Sequence, residues 1–163
     1  MPRLLRDGEV VTDDWQYAGA ETTAGTRRVI LPLERWRSER EAWLAGAGAG
    51  ALGVLLAPAD KVEVLAADLG ALSLVALEFP GPSDGRGYSQ ARLLRERWGF
   101  RGELRAVGYV RQDQLFFLAR CGFNAFELPE PDLEAARGAF ATFSAAYQAS
   151  NDAGLPFTLH HRV

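Results

Sequence analysis

Between Phe79 and Arg95 the chain reads FPGPSDGRGYSQARLLR, which sets an acid, a guanidinium and a hydroxyl close together at Asp84, Arg86 and Ser89. Arginine grips carboxylate, sulfate or phosphate through two parallel hydrogen bonds. Ser89 is placed to cap an amphipathic helix running to Trp98, with Tyr88 and Leu93 at hydrophobic-staple spacing. The N-terminus of such a helix carries partial positive charge. The loop therefore reads either as an anion cradle built on Arg86, with Asp84 orienting it, or as a turn made by Asp84-Gly85. Gln90 stands where a third glycine would complete G-x-G-x-x-G, and no phosphate-loop motif occurs.

A second group, Tyr109-Val-Arg-Gln-Asp113, can aim Tyr109, Arg111 and Asp113 into the same cleft as Arg86. Asp113 reads equally as the cap of its own helix. Arg105 alternates with Leu104 in an apolar strand, so a buried guanidinium there needs a carboxylate, from Glu78 or Glu127. That pair reads as structural first and as a substrate clamp second. Cys121, the single cysteine, reads as a small buried residue and cannot hold an iron–sulfur cluster. His160 and His161 point opposite ways in a strand, and no metal site is expected. The residues name no cofactor and leave a bound flavin open.

The elements that must hold these groups alternate from Leu52 onward. Strands are predicted at 52–57, 72–79, 104–107 and 123–128, and helices at 60–69, 89–98, 113–121 and 132–149. Short continuous apolar runs suit parallel strands covered on both faces. The fold class is therefore α/β, a mostly parallel sheet of successive βα units. It could be an open doubly wound sheet or a partial βα barrel, and in both the loops at the carboxyl ends of the strands carry the site. Earlier in the chain, Val29–Leu33 reads as a strand and Glu34–Leu44 as a helix. Residues 1–26 read as a surface-wrapping N-terminal segment with a small hairpin through Val10 and Val11. Phe157–His160 reads as a last short strand, and Ala45–Ala51 as a loop. Gly50, Gly70, Gly99 and Gly122 read as helix stops. The last helix buries Leu133, Ala136, Phe140, Phe143 and Tyr147. Its outer face, with Ala135, Ala139, Ala145, Ala146 and Ala149, suits a homodimer contact.

At 163 residues the sequence suits a single domain, with 48% hydrophobic and 24% charged residues. No apolar run reaches membrane-spanning length, and the start MPRLLRDGEVV lacks a signal-peptide core, so a cytoplasmic protein is expected. A net charge of −3 argues against nucleic acid as partner. The charge is uneven, however. Asp84 to Arg120 holds eight arginines against four acids, which leaves −7 for the rest.

The ordered string Phe79, Asp84-Gly-Arg86, Ser89-x-Ala91, Leu94-Arg95, Gly102-Glu-Leu-Arg-Ala106, Gly108, Asp113-Gln-Leu115, Arg120-Cys-Gly-Phe123 and Phe126 resembles an uncharacterised bacterial family, DUF934. The resemblance is concentrated in the middle third of the chain. Members are often encoded beside the haem-containing sulfite reductase, and some are labelled oxidoreductase-like. The resemblance implies a role in assimilatory sulfate and sulfite reduction and carries over no catalytic residues. The leading expectation is an accessory protein that binds sulfite reductase, or an anionic ligand, through an arginine-rich edge bearing Asp84, Arg86, Ser89, Arg111 and Asp113. The rival is a small-molecule enzyme on a βα scaffold, acting on a phosphorylated or carboxylated substrate. There Asp113 or Asp84 would be the base and Arg86 the clamp.

Overall fold

A computed structural model describes residues 1–46 and 51–150 of the chain, with side chains through residue 142 in the last helix. Its eight strands are β1 (Arg3–Arg6), β2 (Glu9–Thr12), β3 (Gln16–Tyr17), β4 (Val29–Pro32), β5 (Leu52–Leu56), β6 (Leu74–Phe79), β7 (Glu103–Gly108) and β8 (Ala125–Phe126). The α-helices are α1 (Leu33–Gly46), α2 (Arg86–Arg92), α3 (Leu115–Cys121) and α4 (Leu133–Ser150). The strands form one sheet in the order β2-β1-β8-β7-β6-β5-β4-β3. Strands β3 to β8 are parallel, and β1 is antiparallel to both β2 and β8.

This order decides between the two architectures left open by the sequence. A doubly wound sheet reverses strand order at a switch point, whereas β3 to β8 follow one another without reversal. The buried faces of all four helices also join one apolar cluster. Trp36 and Trp43 of α1, Leu94 just beyond α2, Leu118 of α3 and Phe140 of α4 share it with Val54, Leu77, Leu104 and Phe126. Helices on one face only make the sheet curl, and the result is an eight-stranded, mostly parallel half-barrel.

The linkage between β2 and β3 measures the curl. They are opposite edges of the sheet, separated by seven strand spacings, about 34 Å if the sheet were flat. Only Asp13–Trp15 joins them, a path of at most about 14 Å. The edges therefore approach each other, and this linker crosses the face away from the helices. There Trp15 closes a second cluster with Ile30, Leu74, Ala76 and Val107.

Several sequence expectations change. The hairpin through Val10 and Val11 forms, pairing Leu5 with Val10 and Leu4 with Val11. Its first strand, however, is an interior strand of the sheet, with Leu4 and Leu5 wholly buried. A surface wrap for this segment is therefore corrected: the short apolar pair at Leu4-Leu5 supplies a strand that covers the β8 edge.

The helix expected at 60–69 is replaced by 3-10 turns at Val62–Leu65 and Leu69–Ala71. The reason is local competition. The buried Gln90 amide donates to Asp60 O at 2.8 Å and Ala57 O at 3.0 Å. An α-helix would need the Asp60 carbonyl for Val64 N, which instead turns to Lys61 O. Asp68 then pins this connection to α1, accepting from Trp36 Nε1 at 3.0 Å and Arg40 Nε at 2.7 Å. No α-helix therefore joins β5 to β6, and none joins β3 to β4, so successive βα units do not run unbroken through the sheet.

Gly99 and Gly122 end their helices in the left-handed region, at φ +66° and +114°. Phe123 N then donates back to Leu118 O. Gly70 sits inside a 3-10 turn instead. Gly50, most of the Ala45–Ala51 loop, the strand expected at Phe157–His160 and the His160-His161 pair lie outside the described residues. Among the described residues, no helix is long and apolar enough to cross a membrane.

Candidate functional site at the carboxyl edge of the sheet

The two loops singled out in the sequence leave the sheet side by side. Strands β6 and β7 end in register at Phe79 and Gly108, and Tyr109 N donates to Phe79 O at 2.6 Å. Gly108 makes this approach work: its φ is +87°, and a Cβ there would lie 2.4 Å from Phe79 O. Beyond this point the side chains form two separate groups.

In the first group, Asp84 and Arg86 hold each other. Arg86 donates from Nε to Asp84 Oδ1 at 3.0 Å and from Nη2 to Oδ2 at 2.6 Å. Its backbone N–H donates to Asp84 Oδ1 at 3.2 Å. These bonds hold the Asp84 carboxyl below its usual range, with the Arg86 side chain first and its backbone N–H second. Asp84 thus orients Arg86 and closes its own bend, and both remain at the surface.

The expected cap at Ser89 is corrected. Asp84 already takes the first N–H, α2 begins at Arg86, and Ser89 lies exposed one turn inside it. Tyr88 is then helical and no staple to Leu93. It packs instead between Phe79 at 5.2 Å and Phe117 at 4.9 Å. Burial raises the Tyr88 phenol pKa, with Cys121 and Asp113 adding to it.

The second group surrounds a cleft of about 550 Å³ where the β7–α3 loop faces α4. Tyr109, Arg111, Gln112, Asp113, Phe116 and Asp132 line it. The Arg111 guanidinium lies 4.9 Å from the Tyr109 ring centre, a favourable cation–π placement. Asp113 does not cap its helix. The Gln114 side chain accepts from Arg111 N at 3.0 Å and closes the 3-10 turn before α3, in which Asp113 is exposed. The cleft thus combines one guanidinium, two carboxylates and aromatic walls. Arg111 and Asp113 share it; Asp84, Arg86 and Ser89 do not line it.

Two further arginines of this stretch are buried and bonded within the fold. Arg105, wholly buried, donates to Asp13 Oδ2 at 2.9 Å, Asp13 Oδ1 at 3.2 Å, Glu103 Oε1 at 2.8 Å and Glu127 Oε1 at 3.0 Å. The expected Glu127 partner is present and Glu78 is not among its partners. Asp13 and Glu103 were not legible. Asp13 reaches Arg105 only because the sheet curls, and Glu103 shares the Arg105 face of β7 two residues away. Burial alone would ease a proton off Arg105, but Glu103 and Asp13 outweigh it and raise its pKa. Tyr17 on β3 donates to Glu127 Oε1 at 2.6 Å across the hollow, joining chain segments five strands apart. Wholly buried and with four N–H donors held by three carboxylates, Arg105 is a structural lock and not a substrate clamp.

Arg95, unlike Arg92 and Glu96 on the same helical stretch, is buried. The helix widens to a π turn at Leu93–Arg97, and the Arg95 stem passes over Gly122, where a Cβ would meet Arg95 Cγ at 2.4 Å. Its guanidinium donates to the carbonyls of Gly122, Phe100 and Gly102 at 2.8–2.9 Å. Burial, then the neighbouring Arg101 charge, pushes its pKa down to about 10. Cys121 is buried, as its helix-end position suggested.

A curled, mostly parallel α/β sheet with loop residues gathered at the carboxyl ends of its strands is a scaffold that presents sites on its rim. Residues 53–158 match the family model described as a bacterial protein of unknown function, and the chain belongs to that family, DUF934. No curated protein matches the chain.

Proposed function

We propose that this protein is a binding accessory of sulfite reduction, docking on sulfite reductase or holding an anionic ligand through its arginine-bearing edge. One observation carries the reading. Of the eight arginines between Asp84 and Arg120, Arg95 and Arg105 are consumed inside the fold, and the other six are exposed around α2, the turn after it and α3. A surface that keeps arginine where lysine would serve solubility equally well favours recognition of oxyanions or carboxylates. The sulfite-reduction part of the reading rests on what the resemblance to DUF934 implies. The test is co-purification of tagged protein with sulfite reductase. Retention is expected at low ionic strength, with release in roughly 0.5 M salt as the Debye length shrinks. Absence of the reductase at low salt refutes the docking role.

The β7–α3 cleft favours a second reading, an enzyme or carrier for a small carboxylated or phosphorylated molecule. Arg111 would hold the anion and Asp113 would act as base, with Asp132 also lining the cleft. Arg86 serves less well as the clamp, because Asp84 already occupies it. A thermal-shift screen with sulfate, phosphate and nucleotides tests this. Stabilisation lost in Arg111→Ala and kept in Arg86→Ala supports the cleft, and no shift with any of these anions refutes it. Homodimerisation through α4 is a further proposal. Leu133, Ala136 and Phe140 face the core and Ala135 is exposed. The side chains of Phe143, Ala145, Ala146, Tyr147 and Ala149 lie outside the description.

A further inference from the structure

We infer that the α2–α3 face is a docking site for an acidic protein segment bearing an aromatic or large aliphatic side chain, with Phe117 as the apolar anchor and Arg92 and Arg120 as its charged flanks. This deepens the binding role proposed above by naming the face and the chemistry of its occupant.

Phe117 is 50% exposed, and a lone exposed phenylalanine means little. This one is held in place. Its ring packs on Tyr88 at 4.9 Å, Tyr88 on Phe79 at 5.2 Å, and Phe79 on the buried Phe123 at 5.8 Å. A continuous aromatic column therefore runs from the core to the surface and ends in an open ring. A ring fixed in this way has little rotamer freedom left to lose on binding. Aromatic residues flanked by arginine are the usual composition of interface hot spots.

Helix spacing sets the flanks. Arg120 follows Phe117 by three residues and lies on the same side of α3. Arg92 follows Tyr88 by four on α2 and reaches Cys121, which follows Phe117 by four. Charge selects the occupant. The Asp84–Arg120 stretch exposes six arginines, offset at the surface by Asp84, Glu96 and Asp113, on a chain that is otherwise acidic. An acidic protein segment gains from this local field, which is also short enough to leave the anionic remainder clear of it. A nucleic acid would run into that remainder and needs no apolar anchor of this kind.

The experiment uses the full chain and a fluorescein-labelled peptide of aspartate and glutamate around one central tryptophan, read by anisotropy. Wild type is expected to bind the peptide, and added salt to weaken it. Phe117→Ser and the surface double variant Arg92→Glu/Arg120→Glu should each lose about tenfold or more in affinity. A peptide with alanine for tryptophan should bind weakly, and one with lysine for its acids not at all. Circular dichroism confirms folding, and the double variant, altered only at exposed positions, remains informative should Phe117→Ser unfold. Wild-type affinity in both variants overturns the proposal. So does tighter binding of a single-stranded oligonucleotide than of the peptide. Concentration-dependent dimerisation abolished by Phe117→Ser also overturns it, by making a second copy the occupant. These outcomes are read without sulfite reductase, so they stand apart from the fate of the docking role.

Discussion

Replacing Asp68 with alanine is expected to destabilise the protein by about 1–4 kcal/mol at neutral pH, most of it from one orphaned donor. Asp68 is 6% exposed and accepts from Trp36 Nε1, itself on a side chain only 1% exposed, and from Arg40. Leaving a buried N–H without an acceptor costs about 1–3 kcal/mol. The Arg40 side chain is 43% exposed, so solvent screens that pair and its share is about 1 kcal/mol or less. The pH dependence follows from the same contacts. Burial alone would raise the Asp68 pKa, but the bonds from Arg40 and Trp36 together hold it below its ordinary 3.8. Between the two pKa values the unfolded chain binds the proton more readily than the folded one. The contribution is therefore complete above the ordinary value and is lost as pH falls through the lower, folded one. Urea unfolding at pH 7 and at several points below pH 4 measures both effects. Asp68→Ala should lower the neutral midpoint and flatten the acid limb. A neutral-pH loss under about 0.5 kcal/mol, or an unchanged acid limb, refutes the reasoning.

Gly108→Ala is expected to cost about 2 kcal/mol or more, since it adds left-handed strain to a clash with the Phe79 carbonyl; a thermal-melt change within error contradicts it. Gln90→Leu removes the amide that holds the Ala57 and Asp60 carbonyls, and should lose about 1–3 kcal/mol. Faster amide exchange confined to the loop after β5 is its signature. Arg86→Ala, by contrast, should leave the unfolding midpoint unchanged, because its pairing with Asp84 is at the surface; a clear drop would mean the pair does more than order a bend.

The short apolar runs were enough to place β4 to β7, because parallel strands covered on both faces leave a continuous hydrophobic imprint. They were not enough for Gln16–Tyr17, a two-residue strand with both residues exposed. Nor could a local pattern show Arg3–Arg6 as an interior strand, because its pairing with β8 joins opposite ends of the chain. Within the candidate site, the Asp84–Arg86 pair and the placing of Arg111 beside Asp113 were legible from adjacency in sequence. The separation of these two groups was not, since it depends on α2 starting at Arg86 and directing Ser89 outward. The three-carboxylate lock was half legible. An arginine in an apolar strand demands acids, and Glu127 sits on the neighbouring strand's continuation, but Asp13 enters only through the curl.

That curl, locked by Arg105 against the linker from β2 to β3, positions every loop of the rim, so the Asp13–Arg105 coupling is the measurement that bears on it most directly. A double-mutant cycle with Asp13→Ala and Arg105→Met, read by urea unfolding, isolates the pair from its neighbours. Two hydrogen bonds at 2.9 and 3.2 Å between a wholly buried guanidinium and a carboxylate only 9% exposed should yield a coupling of about 1.5–3 kcal/mol. A coupling indistinguishable from zero would mean that Asp13 does not meet Arg105, and that the linker does not cross the hollow of the sheet.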